Sequence, residues 1–182
     1  MNRTELLDYL TRIDAGLLGK AELVVYGSAA FILLGEEERT SLEIDVAGPY
    51  SRANYADFQQ AAKQAGLPVN PNDVPVWEHI EWVPALRLCL PPPTTATAQV
   101  LWQGRKLIVR TVAPPELIAS KLIRYDELDQ SDIQFLCAQQ AVAWESVAEA
   151  VRALPPPFNE DTVVKENLAN LQRDMTLWRG TT

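Results

Sequence analysis

Apolar positions in the first half of the chain alternate between helical spacing and strand spacing. Leu6, Leu7, Leu10 and Ile13 share one helical face, with Thr4 placed to cap it, Glu5 in the first turn, and Gly16 and Gly19 closing it. Val24-Val25-Tyr26 then reads as a buried strand. Gly27-Ser28 forms a tight turn into Ala29 to Leu34, an apolar run that predicts a helix. A polar loop, Glu36 to Ser41, leads to Leu42-Glu43-Ile44-Asp45-Val46, where acidic and apolar residues alternate. In a strand this puts Glu43 and Asp45 on one face and Ile44 and Val46 on the other. Gly48-Pro49 closes that strand. Ser51 is placed to cap a helix carrying Tyr55, Phe58, Ala61, Ala62 and Ala65 inward and ending at Gly66.

Pro68, Pro71, Pro75 and Pro84 forbid a long regular element in the next stretch. Ile80 to Val83 predicts a short strand, and Leu86 to Leu90 a better one, stopped by Pro91-Pro92-Pro93. Ala98–Trp102 and Lys106–Val112 are expected to pair as a hairpin through Gln103-Gly104-Arg105. From Pro114 the spacing is helical. Pro114-Pro115 suits a helix entry, and Leu117, Ile118, Lys121, Leu122 and Tyr125 follow. Ser131 or Asp132 is placed to start another helix, Trp144 to Leu154 forms a third, and Asn159 is placed to cap the last. The expected organisation is an α/β (α+β) core over residues 1–113 and a helical C-terminal part over 114–182 packed on it, with 155–158 as the clearest hinge.

Composition narrows the function classes. The chain has 182 residues and a net charge of -8, which argues against charge-driven, non-specific binding to DNA. Its two cysteines, Cys89 and Cys137, have no disulfide or zinc spacing and read as buried free thiols. A single histidine, His79, argues against a histidine-based metal site. No basic-then-apolar leader opens the chain and no apolar run reaches ~18 residues, so a cytoplasmic setting without membrane contact is expected.

The chemistry concentrates between Val24 and Val46. Two carboxylates side by side on a strand repel each other, and a divalent cation between them relieves that repulsion. A Gly-Ser turn at a helix start offers backbone N–H groups to an anion. Together they suit a metal–nucleoside triphosphate.

Tyr26-Gly27-Ser28 followed by Glu43-Ile44-Asp45-Val46 resembles the signature of the DNA polymerase β-like nucleotidyltransferase superfamily. Arg39-Thr40 ahead of the acidic strand, and Pro115 to Arg124 followed by Asp132-Ile133, resemble the AbiEii/AbiGii toxin-like branch and its bacterial relatives. So do Gly66 to Asn70 and Trp77-Glu78. These stretches span roughly residues 20 to 140. The resemblance implies a nucleotidyltransferase fold, a mixed β-sheet flanked by helices, with two Mg²⁺ ions and an NTP as substrate. It further implies transfer of a nucleotidyl group to an RNA or protein hydroxyl, and an antitoxin-like protein partner. Glu43 and Asp45 would be catalytic metal ligands, with Glu43 standing where the family usually has Asp. Gly27 and Ser28 would cradle phosphate, Lys121 would be catalytic and meet the nucleotide phosphates, and Arg124 would meet the nucleotide beside it.

Simpler readings stand beside these. Glu43 and Asp45 could be a solvated edge, Gly27-Ser28 a plain turn with an N-cap serine, and Lys121 and Arg124 solvated cations. Asp132 would suffice as an acid at a helix N-terminus. Arg39 would reach a phosphate or pair with Glu43. A third carboxylate is expected in active members, and Glu78 and Glu81 are the only acids near suitable strand positions. The five tryptophans form no stripe and read mostly as packing residues, one of which could stack a base. A module that kept the fold but lost turnover, and a plain interaction protein, are the alternatives to an enzyme.

Overall fold

Two compact units share the chain: Met1–Leu88 with Pro93–Val112, and Cys89–Pro92 with Ala113–Thr182. The computed structural model describes residues 1–72, 77–94 and 98–179, so Pro75 lies outside the described residues.

The first unit is built on a five-stranded mixed sheet in the order β3-β2-β1-β5-β4. Its strands are β1 (Ala21–Tyr26), β2 (Glu43–Ala47), β3 (His79–Val83), β4 (Gln99–Gln103) and β5 (Leu107–Thr111). β1 runs antiparallel to β2 and parallel to β5, β2 runs parallel to β3, and β4 closes antiparallel on β5 as the expected hairpin. Its helices are α1 (Arg3–Gly16), α2 (Gly27–Leu34) and α3 (Tyr55–Gln64). α1 forms because Asn2 and Glu5 make a reciprocal capping box, and it buries Leu6, Leu10 and Ile13. Asn2, one turn ahead of the hydrophobic stripe, therefore takes the cap expected of Thr4. α2 is apolar on every side and buries all of Ala29 to Leu33, as a helix enclosed by other elements must.

Asn54, not Ser51, caps α3, accepting from the Asp57 N–H. Ser51 is used at the corner after β2. Its hydroxyl accepts from the Val24 N–H at 3.0 Å and donates to the Ala47 carbonyl at 2.9 Å. Tyr55 is correspondingly exposed rather than inward. At the far side of the unit, the buried Asp14 carboxylate accepts the N–H groups of Arg105, Lys106 and Leu107 at 3.1, 2.7 and 2.7 Å. That fastens the β4–β5 turn to the end of α1. Burial raises the Asp14 pKa, but the three backbone donors outweigh it and hold the carboxyl below its ordinary value.

The outer edge of β3 is covered. Val69 bridges Ile80, and the Asn70 side chain accepts from the Trp82 N–H at 2.7 Å and donates to the Trp82 carbonyl at 3.2 Å. Asn70 holds φ +44 to do so, a conformation asparagine tolerates better than most residues. The strand expected over Leu86–Leu90 does not form. A 3-10 turn occupies Ala85–Arg87, and Leu88, Cys89 and Leu90 are all buried in succession. Three consecutive buried side chains cannot lie on one face of a strand, and prolines bound the segment on both sides.

The second unit contains α4 (Pro114–Lys121), α5 (Glu127–Gln139), α6 (Trp144–Arg152) and α7 (Thr162–Arg179). Leu117, Ile118, Ile133, Val147 and Leu171 are fully buried and make its core. α5 starts earlier than the sequence predicts, because Asp126 caps it by accepting from the Asp129 N–H. Asp161 rather than Asn159 holds the start of α7, accepting from Val163 and Val164. Both cysteines are free, Cys89 buried and Cys137 half-buried. Among the described residues, no helix is long and apolar enough to cross a membrane.

Candidate functional site

β2 presents Glu43 and Asp45 on one face, both half-buried, while Ile44 and Val46 are buried on the other. The Glu43 backbone is held by Ser41, whose hydroxyl accepts from its N–H at 3.2 Å and donates to its carbonyl at 2.9 Å. The parallel register with β3 sets His79 opposite Glu43 and Glu81 opposite Asp45. Residues paired this way project to the same side of a sheet. One carboxylate oxygen from each of Glu43, Asp45 and Glu81 lies within 4.8 Å of the other two.

Of the two acids that the sequence nominates for a third carboxylate, Glu81 is the one that lies with Glu43 and Asp45. Glu78, the other nominee, is committed elsewhere: its carboxylate lies 2.5 Å from the Met1 ammonium and accepts from the Tyr9 hydroxyl at 2.7 Å. The ammonium holds the Glu78 carboxyl below its ordinary range, against the effect of burial and helped by Tyr9. Glu81 and Glu43 have looser company. Glu81 meets Arg87 at 2.7 Å, and Glu43 faces the His79 Nε2 at 3.8 Å.

Gly27 opens α2 directly after β1, with φ +62. A Cβ at this position would run into the Asp45 carboxylate, so glycine is required twice over: for the left-handed backbone and for the approach of the acid. Tyr26, at the N-cap of α2, adds no side-chain cap hydrogen bond. Ser28 Oγ accepts from Arg39 Nη2 at 2.9 Å, and Arg39 is buried in the loop before β2. Of the two partners expected of Arg39, Glu43 is instead matched with His79, and the guanidinium braces the serine.

The three acids suit a small, hard cation. Their carboxylate oxygens, all within 4.8 Å of one another, could hold a divalent cation such as Mg²⁺, which takes oxygen ligands at ~2.1 Å, once the side chains draw closer.

Lys121 and Arg124 belong to the second unit and do not share a helical face; Lys121 is buried, while Arg124 is exposed, as a solvated cation would be. α4 ends at Lys121, and Arg124 lies in the turn beyond it. The buried Lys121 ammonium sits 3.1 Å from Asp129 and 2.6 Å from Asp132, and Arg124 pairs with Asp126 and Asp129 at 2.7 and 2.8 Å. Asp132 is fully buried inside α5, so its role is charge pairing rather than helix-dipole relief. Tyr125, at φ +55, turns the chain between these groups, and its hydroxyl donates to Asp174 at 2.5 Å. In the same unit, a groove of about 1080 Å³ is lined by Cys137, Val142, Trp144, Met175 and Trp178 among others, and no predicted site residue lines it.

Comparisons of the chain with protein-family models, with curated proteins and with solved structures find no match.

Proposed function

We propose that the chain is a Mg²⁺-dependent nucleotidyltransferase-like enzyme that transfers a nucleotidyl group from an NTP to an RNA or protein hydroxyl in the cytoplasm. The observation carrying this reading is the grouping of Glu43, Asp45 and Glu81 on one face of adjacent strands, with the Asp45 carboxylate packed against Gly27 at the start of α2. Divalent ions held by those acids would supply charge neutralisation at the attacking and leaving oxygens. Gly27 and Ser28 present the α2 N-terminus to the triphosphate, and Arg39 fixes the serine hydroxyl. The acceptor oxygen bonds to the α-phosphorus, the bond from that phosphorus to the β-bridging oxygen breaks, and pyrophosphate leaves. The hydroxyl proton passes to the acidic cluster, where carboxylates stand ready as bases. Lys121, with Asp129 and Asp132, serves this reading as the buried ionic core of the helical unit, and Arg124 pairs with Asp126 and Asp129 at its surface. An antitoxin-like partner would be a basic surface meeting a protein of net charge -8.

The test is thermal and enzymatic. Mg²⁺ with an NTP is expected to raise the melting temperature, Asp45→Asn to abolish that gain, and pyrophosphate to appear when an RNA or protein acceptor is supplied. Equal shifts for wild type and mutant would remove the reading.

A second reading keeps the fold and the nucleotide but not the turnover. It is favoured by Glu43 at a ligand position and by the engagement of Glu81 with Arg87 at 2.7 Å. It predicts the same thermal shift with no pyrophosphate from any NTP and acceptor mixture.

A further inference from the structure

The sheet face that carries the acids extends well beyond them. Tyr26 on β1 is the register partner of Asp45 on β2, so the two side chains share that face. Alternation along β1 puts Val24 and Glu22 there as well. Val24 is in turn the register partner of Arg110 on β5. Glu22 forms an antiparallel bridge with Arg52, beyond the corner that follows β2, and both backbone bonds of the bridge are present at 2.8 and 2.7 Å. Arg110 and Arg52 therefore stand on the same side of the sheet as Glu43, Asp45 and Glu81.

Glu22 lies between the two cations. Its carboxylate meets Arg110 Nε at 3.2 Å, with both side chains partly open to solvent, and Arg52 is exposed. Together the three residues hold two positive charges against one negative, on a chain of net charge -8. Where this excess sits along β1 matters. Asp45 is level with the last residue of β1 and Gly27 follows it, whereas Glu22 is four residues back, roughly 13 Å away at ~3.3 Å per residue. The acids thus lie between the arginines and the start of α2, which takes the triphosphate in the reading above. In an in-line displacement the attacking oxygen comes from the side opposite the leaving group. With pyrophosphate leaving toward Gly27, the acceptor approaches over the end of the face that Arg52 and Arg110 border.

We infer that Arg52 and Arg110 seat the acceptor of the transfer, and that this acceptor is an RNA strand whose phosphodiesters meet the two guanidiniums while its terminal ribose hydroxyl reaches the acids. The inference rests on the nucleotidyltransferase reading and narrows its acceptor from an RNA or protein hydroxyl to RNA. Two cations spaced across β1 match a chain with a negative charge at every residue, and a protein hydroxyl brings no such charge to the same place. The Arg110–Glu22 pair is partly solvated, so exchanging the carboxylate for a phosphate costs little. Contacts of this kind position a strand without reading its sequence.

Fluorescence anisotropy of a 5′-labelled single-stranded RNA, titrated with the protein at increasing KCl, tests the arginines. The thermal shift by Mg²⁺ with an NTP tests the nucleotide site separately. Wild type is expected to bind the RNA with an affinity that falls as salt rises. Arg52→Gln with Arg110→Gln should flatten the slope of log affinity against log salt by about 1.4, at ~0.7 per phosphate contact on a single strand, and should keep the thermal shift. Arg52→Lys with Arg110→Lys should keep the wild-type slope, because a phosphate contact depends on the charge. Arg52 is exposed, so Arg52→Gln alone should melt as wild type does and remove about 0.7 of the slope. A slope unchanged in the double glutamine variant overturns the inference and leaves the nucleotide reading standing. So does a wild type that shows the thermal shift yet binds no RNA, a result that would point to a protein acceptor. A wild type without the thermal shift removes the nucleotide reading and the acceptor role with it.

Discussion

Asp45 on β2 and Glu81 on β3 are register partners in a parallel pair of strands, so the backbone fixes their carboxylates on the same side of the sheet. With Glu43 they place three negative charges within 4.8 Å. Carboxylates this close repel one another when no cation is bound, beside the Glu81–Arg87 and Glu43–His79 pairs. Asp45→Asn is therefore expected to stabilise the metal-free protein by about 0.5–1 kcal/mol, a rise of roughly 1–4 °C in melting temperature for a chain of this size. Differential scanning calorimetry in EDTA reads this directly. A mutant less stable than wild type without metal would mean that Asp45 is held mainly by hydrogen bonds.

Gly27 answers for both a backbone angle and a close approach. Gly27→Ala should cost about 1–2 kcal/mol for the left-handed conformation alone. The methyl must also displace the Asp45 carboxylate. Urea denaturation of Gly27→Ala, Asp45→Ala and the double mutant separates these. The double mutant should be more stable than the sum of the singles predicts, because the steric part disappears with the acid. Strict additivity would mean the two residues do not meet.

The Asp14 carboxyl titrates below its ordinary value in the folded chain, under the pull of three backbone N–H donors that outweigh its burial. A depressed folded pKa makes its contribution fully present above the unfolded value, near pH 4, and lost as pH falls through the folded value. Asp14→Ala should lose about 2–3 kcal/mol at pH 7, from unsatisfied buried donors, and the gap to wild type should narrow toward pH 3. Urea midpoints at the two pH values are the measurement.

Within the helical unit, Lys121 stands between two buried aspartates. Lys121→Met removes the buried cation between the two acids, leaving Asp129 with Arg124, and should destabilise by about 3–5 kcal/mol. Adding Asp132→Leu should recover part of that loss. Recovery would identify the pair as an ionic core that tolerates an apolar substitute, and no recovery would mean that Asp132 has further obligations.

Cys89 is pushed up to about 12 by burial, with the Asp161 charge adding to it. At pH 8 its thiol should resist iodoacetamide in the native protein while the more accessible Cys137 reacts, and both should react in urea. Peptide mapping after a short alkylation distinguishes the two sites. Rapid native labelling of Cys89 would show that its segment opens readily.

Local pattern made the strand from Val24, the helix after Gly27-Ser28 and the acidic face of β2 legible, since each depends on spacing within a few residues. The β4–β5 hairpin was legible for the same reason. The helix caps were not. Thr4, Ser51 and Asn159 each had a competent neighbour in Asn2, Asn54 and Asp161, and the choice is made by where packing starts the helix. The strand expected at Leu86–Leu90 was read from apolar content, which does not distinguish a strand from a buried irregular segment. Glu81 was named as a candidate but could not be preferred over Glu78. The choice depends on a parallel register between residues 43 and 79, which local alternation does not encode. Lys121 and Arg124 carried helical spacing, yet their helix ends at Lys121 and the acids that claim them lie in the next one.

The clasp of Asn70 on Trp82 has a consequence for the sheet as a whole. A strand can slide past its neighbour by one residue, and every side chain then swaps sides. By gripping both the N–H and the carbonyl of Trp82, Asn70 fastens the outermost ribbon against sliding, and Glu81 is the adjacent residue. An amide on a loop, with no charge of its own to offer, thus decides on which surface a negative charge emerges.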